Sequence, residues 1–292
     1  MKRTIDFTSK RKMFIIISLV LIAVSLISML TKGFNFGVDF AGGTDIIFTS
    51  DEEMTVAEIR EQLAGYDEAF ERAKIAKLNP LSTGVTDGSR FSVLVNEFYE
   101  GDEKEKLIGQ IEGLTIDSFS TVSGFAASEL RSKSAWIAII ALAIILVYIT
   151  VRFKFSFGIG ALTALAHDAI ITLGLYSLFS IPFDVSVIAA ILTLLGYSLN
   201  DTIVVYDRIR ENLKRFRNDD VEKNINDSIN QVLTRTINTS LTTFIVVFTM
   251  LLFGGTGLKP FAFGMTVGVV VGTYSSIYIA SPILIGMLKK RK

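Results

Sequence analysis

Long apolar runs separated by short polar breaks dominate this chain, except in one stretch near the N-terminus where the runs shorten and begin to alternate. The long runs fall at Lys12–Thr31, Ala135–Val151, Phe157–Phe179, Phe183–Tyr206, Ile237–Gly255 and Phe261–Leu288. Each is close to the ~20 residues that cross a hydrocarbon core of about 30 Å. The pattern predicts six transmembrane helices. Between the first and second, residues 32–134 read differently: strand at Thr44–Thr49, helix at Val56–Ala64, strands at Ala73–Leu78 and Arg90–Val95, helix at Glu103–Ile111, strand at Thr115–Val122. Turn residues Asn79-Pro80, Asp87-Gly88 and Gly101-Asp102 separate them. The order β-α-β-β-α-β is that of a ferredoxin-like α+β domain, and a segment of about 100 residues is long enough to fold by itself.

The division expected is therefore 1–31 for the N-terminus and first span, 32–134 for the soluble α+β domain, and 135–292 for the remaining five spans, with a loop at 207–236 and a basic C-terminal tail. Lys+Arg and Asp+Glu both number 29, but that neutrality hides a strong asymmetry. Lys2, Arg3 and Lys10 to Lys12, then Arg152 and Lys154, then Arg208 to Arg235, then Lys289 to Lys292 all fall on one side of the predicted membrane. The positive-inside bias makes that side cytoplasmic, both termini included, and leaves the acidic soluble domain extracytoplasmic. The first run exceeds the usual h-region of about 7–15 residues and no A-x-A site follows, so it reads as a retained anchor. Without cysteine the chain offers no disulfide and no thiolate metal site.

Within the loop, Ile225, Ile229, Val232 and Leu233 recur at helical spacing. That fits a helix lying in the membrane interface as well as one packed on the mouth of the bundle. In the last span Gly264, Gly268, Gly272, Ser276 and Ala280 line one face with small side chains, a packing face that is expected to meet a neighbour in the same chain.

Candidate chemistry centres on Asp201 in Gly196-Tyr197-Ser198-Leu199-Asn200-Asp201-Thr202-Ile203. A charge at bilayer depth costs at least about 2.5–3.5 kcal/mol and usually has a function. Burial disfavours the ionised form of a carboxylate and a nearby cation favours it, so a group held between the two can take and release a proton near neutral pH. Arg235, entering the fifth span with Thr239 and Thr242 on its face, is the cation within reach. A static ion pair that fixes helix register is the competing reading. His167-Asp168 in the third span is a second polar couple, carrying the only histidine, and serves either as a proton relay or as a satisfied interhelical pair. Asp201 and Asp207 lie about 9 Å apart along one helix, too far to share a proton as an aspartyl dyad. Asp207 to Asn212 reads as a solvated helix end. Gly37-Val38-Asp39-Phe40-Ala41-Gly42-Gly43-Thr44 is a tight turn lacking the Walker lysine spacing. No cofactor, metal or nucleic acid is expected.

Phe36 to Thr44, Ala164-Leu165-Ala166-His167-Asp168, Gly196 to Asn212 and Arg235-Thr236-Ile237-Asn238-Thr239-Ser240 together resemble the SecD/SecF family of bacterial protein-export membrane proteins, within the resistance-nodulation-division superfamily. The likeness covers almost the whole membrane region but no motif of the soluble segment past its first strand. It implies a non-enzymatic machine driven by the proton motive force, promoting late translocation and release of secretory proteins across the bacterial cytoplasmic membrane. It implies as partners a second six-helix half of SecD type, the SecYEG channel with its SecA motor, the emerging polypeptide and membrane lipid. Asp201 matches the family's proton-linked aspartate and Arg235 its companion; Asn200, His167 and Asp168 complete the candidate ion-coupling set. A proton-driven small-molecule exporter of the same superfamily is the alternative.

Overall fold

The structure is a computed structural model that describes residues 4–78, 89–95, 111, 113–216 and 220–289. In chain order it contains α1 (Arg11–Thr31), β1 (Asn35–Phe36), α2 (Val38–Ala41), β2 (Gly43–Ser50), α3 (Val56–Ala64), β3 (Lys74–Leu78), β4 (Ser89–Val95) and β5 (Leu114–Val122). There follow α4 (Gly124–Arg152), α5 (Phe155–Leu178), β6 (Pro182–Phe183), α6 (Val185–Arg215), α7 (Val221–Phe253), α8 (Lys259–Ser275), a π-helical stretch at Ser276–Ala280, and α9 (Ser281–Lys289). Among the described residues, six helices are long and apolar enough to cross a membrane: α1, α4, α5, α6, α7 and the continuous run from α8 through α9.

In the inserted segment, β2 pairs antiparallel with both β4 and β5, and β3 with β4, giving a four-stranded sheet in the order β3-β4-β2-β5. Alternating inward residues Ile46, Phe48, Phe91, Val93 and Val95 meet Ile59 and Leu63 of α3 in one core. The start of α3 is fixed by a capping box: Thr55 Oγ1 accepts from Glu58 N at 3.3 Å while Glu58 Oε2 accepts from Thr55 N at 2.7 Å. The helix expected at Glu103–Ile111 and the three expected turns at 79–80, 87–88 and 101–102 lie outside the described residues, Ile111 excepted.

The membrane helices run longer than the apolar pattern alone marks. α4 begins at Gly124, well before the boundary expected at 134, because Ser123 caps it by accepting from Ala126 N at 3.1 Å. The loop expected at 207–236 is mostly helix: α6 continues to Arg215, and α7 runs unbroken from Val221 into the bilayer run. Val221, Ile225 and Ile229 recur every four residues and bury against Ile209, Leu284 and Ile285, so this segment packs on the bundle mouth rather than lying flat in the interface. Asn212 ties the two helices by donating to Ser228 Oγ at 2.8 Å.

The small-residue face of α8 packs inside the chain. A Cβ on Gly268 would sit 2.7 Å from Leu194 Cβ, and one on Gly272 would sit 2.9 Å from Ser198 Cβ, both on α6. Past it, Pro282 has no N–H for the carbonyl four residues back, and the helix widens to a π turn over the preceding residues. Tyr206 Oη donates to the Ala280 carbonyl there at 2.9 Å. By contrast α1 and α4 expose most of their apolar surface, Trp136, Ile140 and Leu30 among it, as lipid-facing helices do.

Candidate functional site

Two buried carboxylates stand on either side of the seam between α6 and α8. Asp168, on α5, is fully buried. Its Oδ1 lies 2.9 Å from His167 Nδ1, and its Oδ2 accepts from Ser198 Oγ of α6 at 2.5 Å and from Ser275 Oγ of α8 at 2.7 Å. Neither hydroxyl has a shorter acceptor, since Ser275 reaches the Gly272 carbonyl only at 3.1 Å. The close approach of Gly272 to Ser198 is what lets one carboxylate collect donors from both helices. The opposite ring nitrogen, Nε2, is buried with no hydrogen-bond partner among the described residues. The ring stacks on Tyr274, with centroids 5.9 Å apart.

Asp201 is also buried, but it is served differently. Ser240 Oγ of α7 lies 3.2 Å from its Oδ2, and the same hydroxyl lies 2.8 Å from the Thr236 carbonyl, to which it can give the same single proton. Thr273 Oγ1 of α8 is a second hydroxyl at this carboxylate, and it is shared as well, lying 2.6 Å from Ser240 Oγ and 2.7 Å from the Val269 carbonyl. A carboxylate accepts about four hydrogen bonds when ionised. This one is under-supplied.

The expected companion, Arg235, lies within electrostatic reach of Asp201 but is not bonded to it. Among the described residues no ion pair joins Asp201 to Arg235, whose side chain is on the exposed side of α7, and Asn200 faces outward too. Thr193, Gly196 and Asn200 are exposed along α6, as are Arg235, Asn238 and Thr242 along α7, at spacings that place each set on one helix face. The five sequence candidates thus divide: His167 and Asp168 come together inside the bundle, Asp201 sits at an inner helix interface, and Asn200 and Arg235 look out. Asp207 belongs to none of these. It pairs with Arg152 at 2.6 Å, and Arg208 pairs with Glu211 one turn on, as a solvated helix end does.

Ser275 and Thr273 were not distinguishable as site residues in the sequence, because a hydroxyl in a small-residue helix face looks like packing. Asp39 is a second residue with more to do than a turn requires. Its Oδ2 accepts from Val185 N at the start of α6 at 3.1 Å, and Gly37 N donates to the Phe183 carbonyl at 3.0 Å beside the parallel β1–β6 pairing. Gly42, at φ +75°, then turns the chain into β2 where a Cβ would come within 3.2 Å of Gly124 Cα. The glycine turn thereby fastens the inserted sheet to the N-terminal ends of α4 and α6. Just beyond it, Asp45 on β2 is pushed up to about 6 by burial, against the bond from Ser92 at 2.8 Å and with a further push from Asp184.

A bundle of six apolar helices with buried carboxylates at its helix seams, interrupted after the first helix by an α/β insert, defines a polytopic membrane protein of the transport type. Residues 103–290 match the family described as "Protein export membrane protein SecD/SecF, C-terminal", and residues 27–51 match the "SecD/SecF GG Motif". The chain belongs to the SecD/SecF protein-export family. It is 52% identical to the protein translocase subunit SecF of Petrotoga mobilis, across 99% of this chain and 97% of that one. It is 35% identical to the protein translocase subunit SecDF of Thermus thermophilus over 94% of this chain and 37% of that longer protein. The crystal structure of that organism's SecDF, described as a translocon-associated membrane protein, superposes with a TM-score of 0.83 at 33% identity, covering 99% of this chain and 39% of the other.

Proposed function

We propose that this chain is the SecF-type half of a SecDF machine, which uses the proton motive force to promote late translocation and release of secretory proteins, with Asp201 as the ion-carrying group. The observation that carries the reading is the under-supplied Asp201 carboxylate beside an outward polar face bearing Asn200 and Arg235. A buried carboxylate short of donors changes its partners when it gains a proton, and a polar face in a membrane needs a protein to cover it. The T. thermophilus relative joins both halves in one chain, and the covering partner proposed is therefore a six-helix SecD-type half.

In the cycle we infer, ionised Asp201 and outward Arg235 hold the partner half in one packing; protonation weakens that hold and the halves rock. One charge crossing 100 mV supplies about 2.3 kcal/mol per step. The His167–Asp168 couple is a second proton-holding pair inside the bundle, adjoining the same α6–α8 seam. Tying of the soluble domain to the start of α6 by Asp39 and Gly37 gives the rocking a lever. The sheet order and the capped α3 support a ferredoxin-like domain, placed outside the cytoplasm by the distribution of basic residues, with both termini inside. SecYEG with SecA, and the emerging polypeptide, are the further partners in this reading, which assigns the chain no catalysis of its own. The small-molecule exporter is not favoured, since the relatives are named translocase subunits.

The test is export of a slow secretory substrate by membranes carrying Asp201→Asn, with and without an uncoupler, after the variant is shown to assemble with its partner half. Export is expected to fall to the deletion level with no further effect of the uncoupler. Wild-type export would make Asp201 structural.

A further inference from the structure

We propose that a cleft bounded by α1, α5 and the α9 end of the last span holds one acyl chain of an anionic phospholipid, from the leaflet adjoining the chain termini, with the phosphate at Arg11 and Lys289. The cleft measures about 530 Å³ and is walled almost wholly by apolar side chains, Ile15, Leu19 and Ile22 of α1 facing Ile283 of α9. It reaches from Arg11 to Ile22, which at 1.5 Å per residue is about 16 Å along the helix. That depth equals about half of a 30 Å hydrocarbon core, one leaflet.

Charge at the mouth selects the headgroup. Arg11 Nη1 and Lys289 Nζ both bind the same oxygen of Glu222, at 2.6 and 2.7 Å, so two cations share one carboxylate and a positive charge is left over. Each cation has donors beyond the one used on Glu222, in the forked guanidinium and the three-proton ammonium. A glycerol-type phospholipid brings one uncompensated phosphate, whereas a choline headgroup brings its own cation. Basic pockets between spans on one leaflet favour the former. At the deep end the cleft is lined by His167, whose unpartnered Nε2 a seated chain separates from the mouth.

Gly286 gives a clean test, because it lines the cleft and a Cβ there would meet nothing within 4 Å. The full-length chain, copurified with its membrane partner in detergent, is mixed with phosphatidylglycerol or phosphatidylcholine, and bound lipid is counted by native mass spectrometry. One phosphatidylglycerol is expected to be retained about tenfold over phosphatidylcholine, the effect of one charge-assisted hydrogen bond. Gly286→Leu should cut retention of both about tenfold with an unchanged gel-filtration profile. Arg11→Gln with Lys289→Gln should abolish the preference while leaving phosphatidylcholine retention as it was. Equal retention of the two lipids by the wild type, no retained lipid because a protein helix fills the cleft, or undiminished retention by Gly286→Leu overturns the proposal.

Discussion

Asp168 and Asp201 are both buried carboxylates in apolar helices, yet one is enclosed by donors that have no better acceptor and the other depends on two hydroxyls already committed elsewhere. The difference lies in which helices meet at each. Asp168 is closed by two serines across a glycine-permitted approach of α6 and α8, wholly within the chain. Asp201 lies where α6 and α7 carry polar residues to an outer face, so its remaining partners belong to another molecule in the reading given above. A satisfied polar cluster fixes a packing; an incompletely satisfied one can be biased from outside.

The contrast is open to direct attack, beginning with the largest effect. Asp168→Ala strands Ser198, Ser275 and His167 in the interior and should cost about 3 kcal/mol, one or more for each stranded group. Asp201→Ala should cost less, about 1 kcal/mol, since both of its hydroxyl donors keep a backbone carbonyl as acceptor. Equal losses in thermal melting of the detergent-purified chain would erase the distinction. Gly272→Leu forces α8 away from Ser198 and should lower stability by about 1–3 kcal/mol through overpacking, the same melting experiment deciding it. If the variant melts with the wild type, the glycine approach is not what closes the Asp168 cluster.

A third carboxylate, in the inserted sheet, sharpens the comparison. Asp45, held at about 6 in the fold against the ordinary value of about 4, binds more protons folded than unfolded between those values. Stability therefore falls as pH rises from about 4 to about 6 and is flat beyond, on this group's account. Asp45→Asn should remove that slope, and melting temperatures taken across pH 4 to 8 that keep it would assign the slope elsewhere. The smallest effect is expected at the outward face: Thr193→Leu with Asn200→Leu should leave the isolated chain within about 0.5 kcal/mol of wild type, as exposed sites do. Copurification with the partner half should drop all the same. Intact copurification would mean this face is not the joint.

Much of this architecture is written in the pattern of the chain itself. The apolar runs marked six helices because a bilayer demands about 20 apolar residues in a row. The strands of the insert fell within a residue or so of their sequence positions, since alternation and turn residues are local signals. The helices extend past the apolar runs at Gly124 and from Asp207 to Arg235, because a helix keeps its hydrogen bonds where its apolar signature ends. Asp201 and the His167-Asp168 couple announced themselves by being charged where charge is costly.

What the chain alone determined, then, was which residues cannot be idle and roughly how deep they lie. Tertiary structure decided which of them are closed and which are open. Ser275 reaches Asp168 from a helix more than a hundred positions away, Ser240 is divided between Asp201 and a carbonyl, and Arg235 turns outward. A hydrogen-bond supply is summed over every helix that meets at a point, and no periodicity along a single helix contains that sum.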